Sequence, residues 1–160
     1  MSFVVILMGS KSDLSFVGKI TAALDELGIS YDQRVASAHK SVHYLLELLA
    51  KYEDSKQVGA YITVAGRSNA LSGVVDANVI APVIACPPYS EKFAGSDLYS
   101  SLRMPSGVAP AVILEPAAAA LFAAKMLAAK DPGLRERIVK MQQAQKEAVI
   151  AADAGLQGGS

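Results

Sequence analysis

Tryptophan is absent from this chain, cysteine occurs once, and net charge is zero, with 15 basic residues set against 15 acidic ones. Each absence removes a class of function. Aromatic residues make up only 6%, which argues against the stacking platform that single-stranded nucleic acids need. Balanced charge leaves no basic stripe for a phosphate backbone. The lone Cys86 excludes an intramolecular disulfide and a cysteine-rich metal site, and points to a reducing compartment. No uncharged apolar stretch is long enough to span a bilayer, since Glu115 and Lys125 interrupt the best candidate. The apolar run Phe3–Met8 has neither a basic leader nor a small-residue cleavage pattern after it, so it reads as a strand rather than a signal peptide. The expectation is a soluble cytoplasmic protein with no nucleic-acid or membrane partner.

What is present is apolar. Hydrophobic residues reach 52% and charged residues only 19% of 160. That length fits one domain with a real core. Alanine inflates the apolar count, but a domain of this size has too much surface for its volume to hide so much apolar area alone. A homo-oligomer is expected, because exposed apolar patches mark interfaces.

The pattern along the chain alternates strand and helix. Phe3–Met8 is a continuous apolar run, as in a strand buried on both faces. Residues 13–27 carry a helical stripe of Leu14, Val17, Ile20, Ala23, Leu24 and Leu27, stopped by Gly28. Residues 31–36 read as a more polar strand suited to a sheet edge. Residues 41–52 read as a helix with Leu45, Leu46, Leu48 and Leu49 inside. A third strand at Val58–Val64 precedes a short helix at 69–77. A fourth strand starts near Pro82 and is stopped by Pro87-Pro88, whose peptide geometry the sequence leaves open. Residues 89–95 read as a loop, 97–102 as a helical turn and 111–114 as a fifth strand. Pro116 opens an Ala-rich helix to Ala129. After the break Asp131-Pro132-Gly133, residues 134–152 form an amphipathic helix with Leu134, Ile138, Met141 and Ala148-Val149 as inner positions. Residues 155–160 read as a frayed tail.

This alternation predicts an α/β protein: a three-layer αβα sandwich on a parallel sheet, plus a C-terminal helix. Residues 1–130 would form the α/β domain, and 131–160 a helix and tail that pack in an oligomer. A strand order of 2-1-3-4-5 puts the switch point, where ligands bind, between the first and third strands.

Three polar segments follow strands and would share that rim. Gly9-Ser10-Lys11-Ser12-Asp13 joins a strand to a helix start, where free amides and hydroxyls attract anions. It is neither a Walker loop nor G-x-G-x-x-G, and an ordinary turn with Ser12 or Asp13 as helix cap competes with phosphate binding. Ser37-Ala38-His39-Lys40 offers an imidazole, which accepts and returns a proton near neutrality. His43 lies four residues on, but no thiolate or H-E-x-x-H joins the pair, so no metal is expected. Ala65-Gly66-Arg67-Ser68-Asn69 sets a cation beside a buried strand, where a charge without a partner is costly. Anion recognition is expected of Lys40 and Arg67: a phosphate, a carboxylate or carbon dioxide. Cys86 reads as a buried structural thiol rather than a nucleophile. For Asp97 and the segment from Ser100 to Gly107, packing and substrate contact both stand.

The motifs Met8-Gly9-Ser10-x-Ser12-Asp13, Ser37-Ala38-His39-Lys40, Ala65-Gly66-Arg67-Ser68-Asn69-Ala70-Leu71, Ala85-Cys86-Pro87-Pro88 and Tyr99-Ser100-Ser101-Leu102-Arg103-Met104-Pro105-Ser106-Gly107, in this order, resemble the 5-aminoimidazole ribonucleotide (AIR) carboxylase family of purine biosynthesis. The resemblance covers residues 4–127. Most bacterial members have Arg where Lys40 stands and a Gly-rich, His-containing loop in place of residues 66–71; those are mutases acting on an N-carboxylated substrate. Lys40 with Gly66-Arg67-Ser68-Asn69 looks like the branch shared with the animal bifunctional enzymes, which uses carbon dioxide directly. The resemblance implies a flavodoxin-like three-layer sandwich, AIR and carbon dioxide as substrates, no cofactor, and a homo-octamer with active sites at subunit interfaces. It implies His39 as general acid/base, with Ser10, Ser12, Asp13, Ser37, Lys40, Gly66, Arg67 and Ser68 binding substrate. The mutase reaction and a non-catalytic nucleotide-binding domain are the competing expectations, with a Cys86 hydrolase behind them.

Overall fold

The computed structural model describes residues 2–157. Strands β1 (Phe3–Met8), β2 (Tyr31–Val35), β3 (Val58–Val64), β4 (Val83–Ala85) and β5 (Ala111–Val112) form one sheet in the order β2-β1-β3-β4-β5. All four pairings are parallel. The observed order is the 2-1-3-4-5 arrangement considered above, so the switch point falls between β1 and β3. The polar β2 takes the edge. The fifth strand is shorter than expected, although Ile113 N–H still donates to Ala85 C=O at 3.0 Å.

Helices α1 (Leu14–Glu26), α2 (Val42–Ser55), α3 (Ala70–Asp76), α4 (Tyr99–Leu102), α5 (Pro116–Leu127) and α6 (Pro132–Gln157) cover the sheet. Side chains alternate across each strand, so β1 feeds two cores. Val4, Ile6 and Met8 pack with Val17, Ile20 and Leu24 of α1 and with Ala119, Ala120, Ala123 and Ala124 of α5. Val5 and Leu7 face Leu45, Leu48 and Leu49 of α2 and Leu71 and Val75 of α3. Alanines on α5 let that helix lie close to the sheet. Gly59 serves the same end, because a Cβ there would overlap Leu127.

Several expectations need correcting. Leu14 is 43% and Leu46 37% exposed. Leu14 precedes the turn at which the stripe Val17, Ile20, Leu24 settles onto the sheet. Leu46 lies about 100° around the helix from Leu45, outside the arc of Leu45, Leu48 and Leu49. The expected loop at 89–95 runs into a 3-10 helix at Lys92–Leu98, which has no hydrophobic periodicity to announce it. In α6, Leu134 and Ile138 are buried in this chain's own core. Val149 is 71% exposed and Ala148 is exposed too, so neither is an inner position here. The same helix continues to Gln157, so residues 155–157 are helical rather than frayed; 158–160 lie outside the described residues.

Candidate active site

The rim is built loop by loop. After β1, Gly9 N–H donates to Val64 C=O at 2.9 Å and ties the first loop to β3. Ser10 adopts an extended backbone and caps the short turn Lys11–Asp13. Its Oγ accepts from Ser12 N–H at 3.2 Å and from Ser12 Oγ–H at 2.9 Å. Both bonds use lone pairs, so the Ser10 proton can be donated outward. Ser10 C=O accepts from Asp13 N–H at 3.1 Å. Partial burial holds the Asp13 carboxyl above its usual pKa, and the hydrogen bond involving the Ser10 backbone opposes this more weakly.

After β2, Ala36 N–H donates to Met8 C=O at 3.0 Å, so the second loop starts beside the first. Ser37 Oγ accepts from Lys40 N–H at 3.2 Å, again leaving a hydroxyl proton. His39 and Lys40 stand exposed on the turn between Ser37 and Ser41.

After β3, the chain turns sharply. Arg67 has φ 61, in the left-handed region that side chains other than glycine, Asn and Asp rarely occupy. Asn69 then caps α3, its Oδ1 accepting from Ser72 N–H at 3.2 Å.

These loops enclose one open cleft of about 510 Å³, lined by all nine residues expected from the sequence. From the first loop come Ser10, Ser12 and Asp13. Ser37, His39 and Lys40 come from the second, and Gly66, Arg67 and Ser68 from the third. Two cations, one carboxylate, one imidazole and four hydroxyls therefore face a common space. Such a set can hold an anionic sugar phosphate and move a proton.

Other candidates lie elsewhere. His43 sits on α2 and does not line the cleft. Among the described residues no three His, Cys, Asp or Glu side chains gather as a metal site. Cys86 is fully buried, 3.7 Å from Leu114 C=O. Burial, with Glu115 nearby, pushes its thiol up to about 12. It stays protonated at neutral pH, which removes it as a nucleophile. The segment after Asp97 packs on α3 instead of lining the cleft: Asn69 Nδ2 donates to Ser101 Oγ at 2.9 Å.

Sequence reasoning missed three parts of the site. Ala38, Ala65 and Leu71 supply apolar wall. Ser41 fixes the His39 turn. Asn69 anchors the third loop, and its place just before a short helix was the available signal.

Known proteins resemble this chain in both sequence and fold. Residues 3–148 match the family model described as AIR carboxylase. The chain is 53% identical over 149 residues to a phosphoribosylaminoimidazole carboxylase of Archaeoglobus fulgidus, covering 93% of this chain and 82% of that one. It is 44% identical over 123 residues to the bifunctional phosphoribosylaminoimidazole carboxylase/phosphoribosylaminoimidazole succinocarboxamide synthetase of Mus musculus, covering 77% of this chain and 29% of the relative. The crystal structure of Treponema denticola PurE superposes with a TM-score of 0.95 at 45% identity, covering 98% of this chain and 99% of that one. A match over nearly the whole length, in both sequence and fold, settles the kinship: this chain belongs to the AIR carboxylase family.

Proposed function

We propose that this chain joins carbon dioxide to AIR in purine biosynthesis, giving 4-carboxy-5-aminoimidazole ribonucleotide, and catalyses the reverse decarboxylation. The observation that carries the reading is the convergence of Ser10, Asp13, Ser37, His39, Lys40 and Arg67 on one cleft. In this reading Ser10, Ser12, Ser37 and Lys40 hold the phosphate and ribose, and Asp13 accepts hydrogen bonds from ribose hydroxyls. Gly66, Arg67 and Ser68 hold carbon dioxide and then the carboxylate it becomes.

The aminoimidazole ring carbon is enamine-like and already nucleophilic, so the main task is positioning. It attacks carbon dioxide and a C–C bond forms. The ring carbon is then tetrahedral, bearing both hydrogen and carboxylate. His39 removes that proton, the electron pair returns to the ring, and aromaticity is restored. In reverse, His39 protonates the carbon and carbon dioxide leaves. No metal, biotin or ATP has a step in this scheme. Lys40 and the Gly66-Arg67-Ser68-Asn69 loop favour direct use of carbon dioxide over the mutase reaction.

The α/β unit 1–130 carries the chemistry in this reading, and the outward face of α6, within residues 131–160, packs between subunits of a cytoplasmic homo-octamer. Exposed Val139, Val149, Ile150 and Leu156 on that helix support it. Light scattering on the purified protein measures the assembly; a monomer or dimer would refute the octamer.

The deciding experiment supplies 4-carboxy-5-aminoimidazole ribonucleotide to purified protein without ATP or metal. Release of AIR and carbon dioxide, lost in His39→Asn with nucleotide binding intact, is the expected result. Enzyme-dependent build-up of the N-carboxylated isomer would assign the mutase reaction. Binding without any turnover would leave a nucleotide-binding domain.

A further inference from the structure

The geometry points to Asn69 as the positioning residue for Arg67, acting through a clasp with Ser100 and Ser101; this rests on the role given to Arg67 above. A left-handed arginine persists only where its surroundings hold it. Here the holding group is a neighbour outside the cleft. Ser100 Oγ accepts from Asn69 N–H at 2.9 Å and donates to Asp97 C=O at 2.7 Å, with Arg67 C=O a second, longer acceptor at 3.3 Å. Asn69 is 3% exposed. Its Nδ2 donates to Ser101 Oγ at 2.9 Å and its Oδ1 accepts from Ser72 N–H at 3.2 Å. The backbone two residues past Arg67 is thus fixed from three directions.

The clasp is one end of a longer docking. Asn69, Gly73 and Asp76 stand at i, i+4 and i+7, on one face of the helix that Asn69 caps. Residues 99–109 lie along that face. A Cβ on Gly73 would sit 3.2 Å from Met104 Sδ, and Asp76 Oδ2 accepts from Ala109 N–H at 2.7 Å. Neither Asn69, Ser100 nor Ser101 lines the cleft, so any effect on ligand passes through residues 66–68. A helix cap alone would need only the Asn69 Oδ1, a task that serine performs equally well. The Nδ2 contact to Ser101 is the addition.

The test uses two nucleotides that differ by the carboxylate: AIR and 4-carboxy-5-aminoimidazole ribonucleotide. Their binding to full-length Asn69→Ser, Arg67→Gln and the double variant is measured with thermal unfolding of each. Asn69→Ser keeps the cap and loses the bridge. It is expected to weaken the carboxylated nucleotide roughly tenfold while leaving AIR within about twofold. The double variant is expected to be no worse than Arg67→Gln. Equal weakening of both nucleotides, or no change in either while Arg67→Gln discriminates, would overturn the inference alone. Failure of Arg67→Gln to discriminate would overturn the role of Arg67 and the inference with it. Ser100→Ala, which removes only one hydroxyl, gives the same readout if Asn69→Ser does not fold.

Discussion

Ser37 and Ser41 hold each other across the turn that carries His39. Ser37 N–H donates to Ser41 Oγ at 3.0 Å, and Ser41 N–H donates back to Ser37 C=O at 2.9 Å. The Ser41 hydroxyl reaches the same carbonyl at 3.3 Å. His39 and Lys40 lie inside this closed turn, so their direction into the cleft depends on it. Ser41→Ala removes the side-chain half and is expected to cost about 1 kcal/mol of stability. Turnover should fall several-fold, with the loss in kcat rather than in nucleotide affinity. Steady-state kinetics beside thermal unfolding checks this; an unchanged kcat would detach His39 from the turn.

Asp13 offers a trade between stability and binding. Burial raises its carboxyl pKa above the ordinary 3.8, so the folded state binds the proton more tightly than the unfolded chain does. The stabilisation from that proton is fully present below 3.8 and is lost as pH rises through the folded value. At neutral pH the buried charge is a burden. Asp13→Asn is therefore expected to unfold at a slightly higher temperature than wild type at pH 7, with the advantage vanishing in acid. Its nucleotide affinity should fall. A lower unfolding temperature at pH 7 would show the carboxylate to be a structural anchor.

Arg67 makes the opposite demands of fold and function visible at one position. A left-handed non-glycine residue costs about 1–2 kcal/mol, and glycine returns part of that gain through unfolded-state flexibility. Arg67→Gly is expected to be more stable by up to about 1 kcal/mol and nearly inactive. Denaturant unfolding and decarboxylation assays on the same preparation test both halves. A stable variant with wild-type activity would exclude the guanidinium from the reaction.

Cys86 should be silent. Its thiol is buried and pushed up to about 12. Iodoacetamide at pH 8 is expected to leave the native protein unlabelled and fully active, while the denatured chain labels at once. Loss of activity on alkylation of the native protein would return Cys86 to the site.

The sequence made the sheet and its ligand rim legible because both depend on local signals: apolar runs for β1 and β3, and polar residues placed directly after them. The α/β alternation implied a parallel sheet, while its order, 2-1-3-4-5, is one of two common choices that alternation alone leaves open. Leu14 and Leu46 were misplaced because composition does not distinguish a leucine on the stripe from one beside it. The 3-10 helix at Lys92–Leu98 carries no period to read. The roles of Ser41 and Asn69 were hidden for different reasons. Ser41 acts over four residues, but serine at a helix start has many uses. Asn69 acts through Ser100 and Ser101, 31 and 32 residues away in sequence, and no spacing rule connects them.

Among the described residues, those lining the cleft all fall between Gly9 and Leu71. Among the described residues of one chain, strands β4 and β5 and helices α4, α5 and α6 support the sheet without lining the cleft. The candidate residues therefore form one contiguous cassette of sequence that could be exchanged as a unit. Substitutions on the far side of the sheet can then accumulate without touching that wall. A recipient must still supply the partners on which the cassette closes: Ser100 and Ser101 for Asn69, Pro88 beside Gly66 and Leu127 over Gly59.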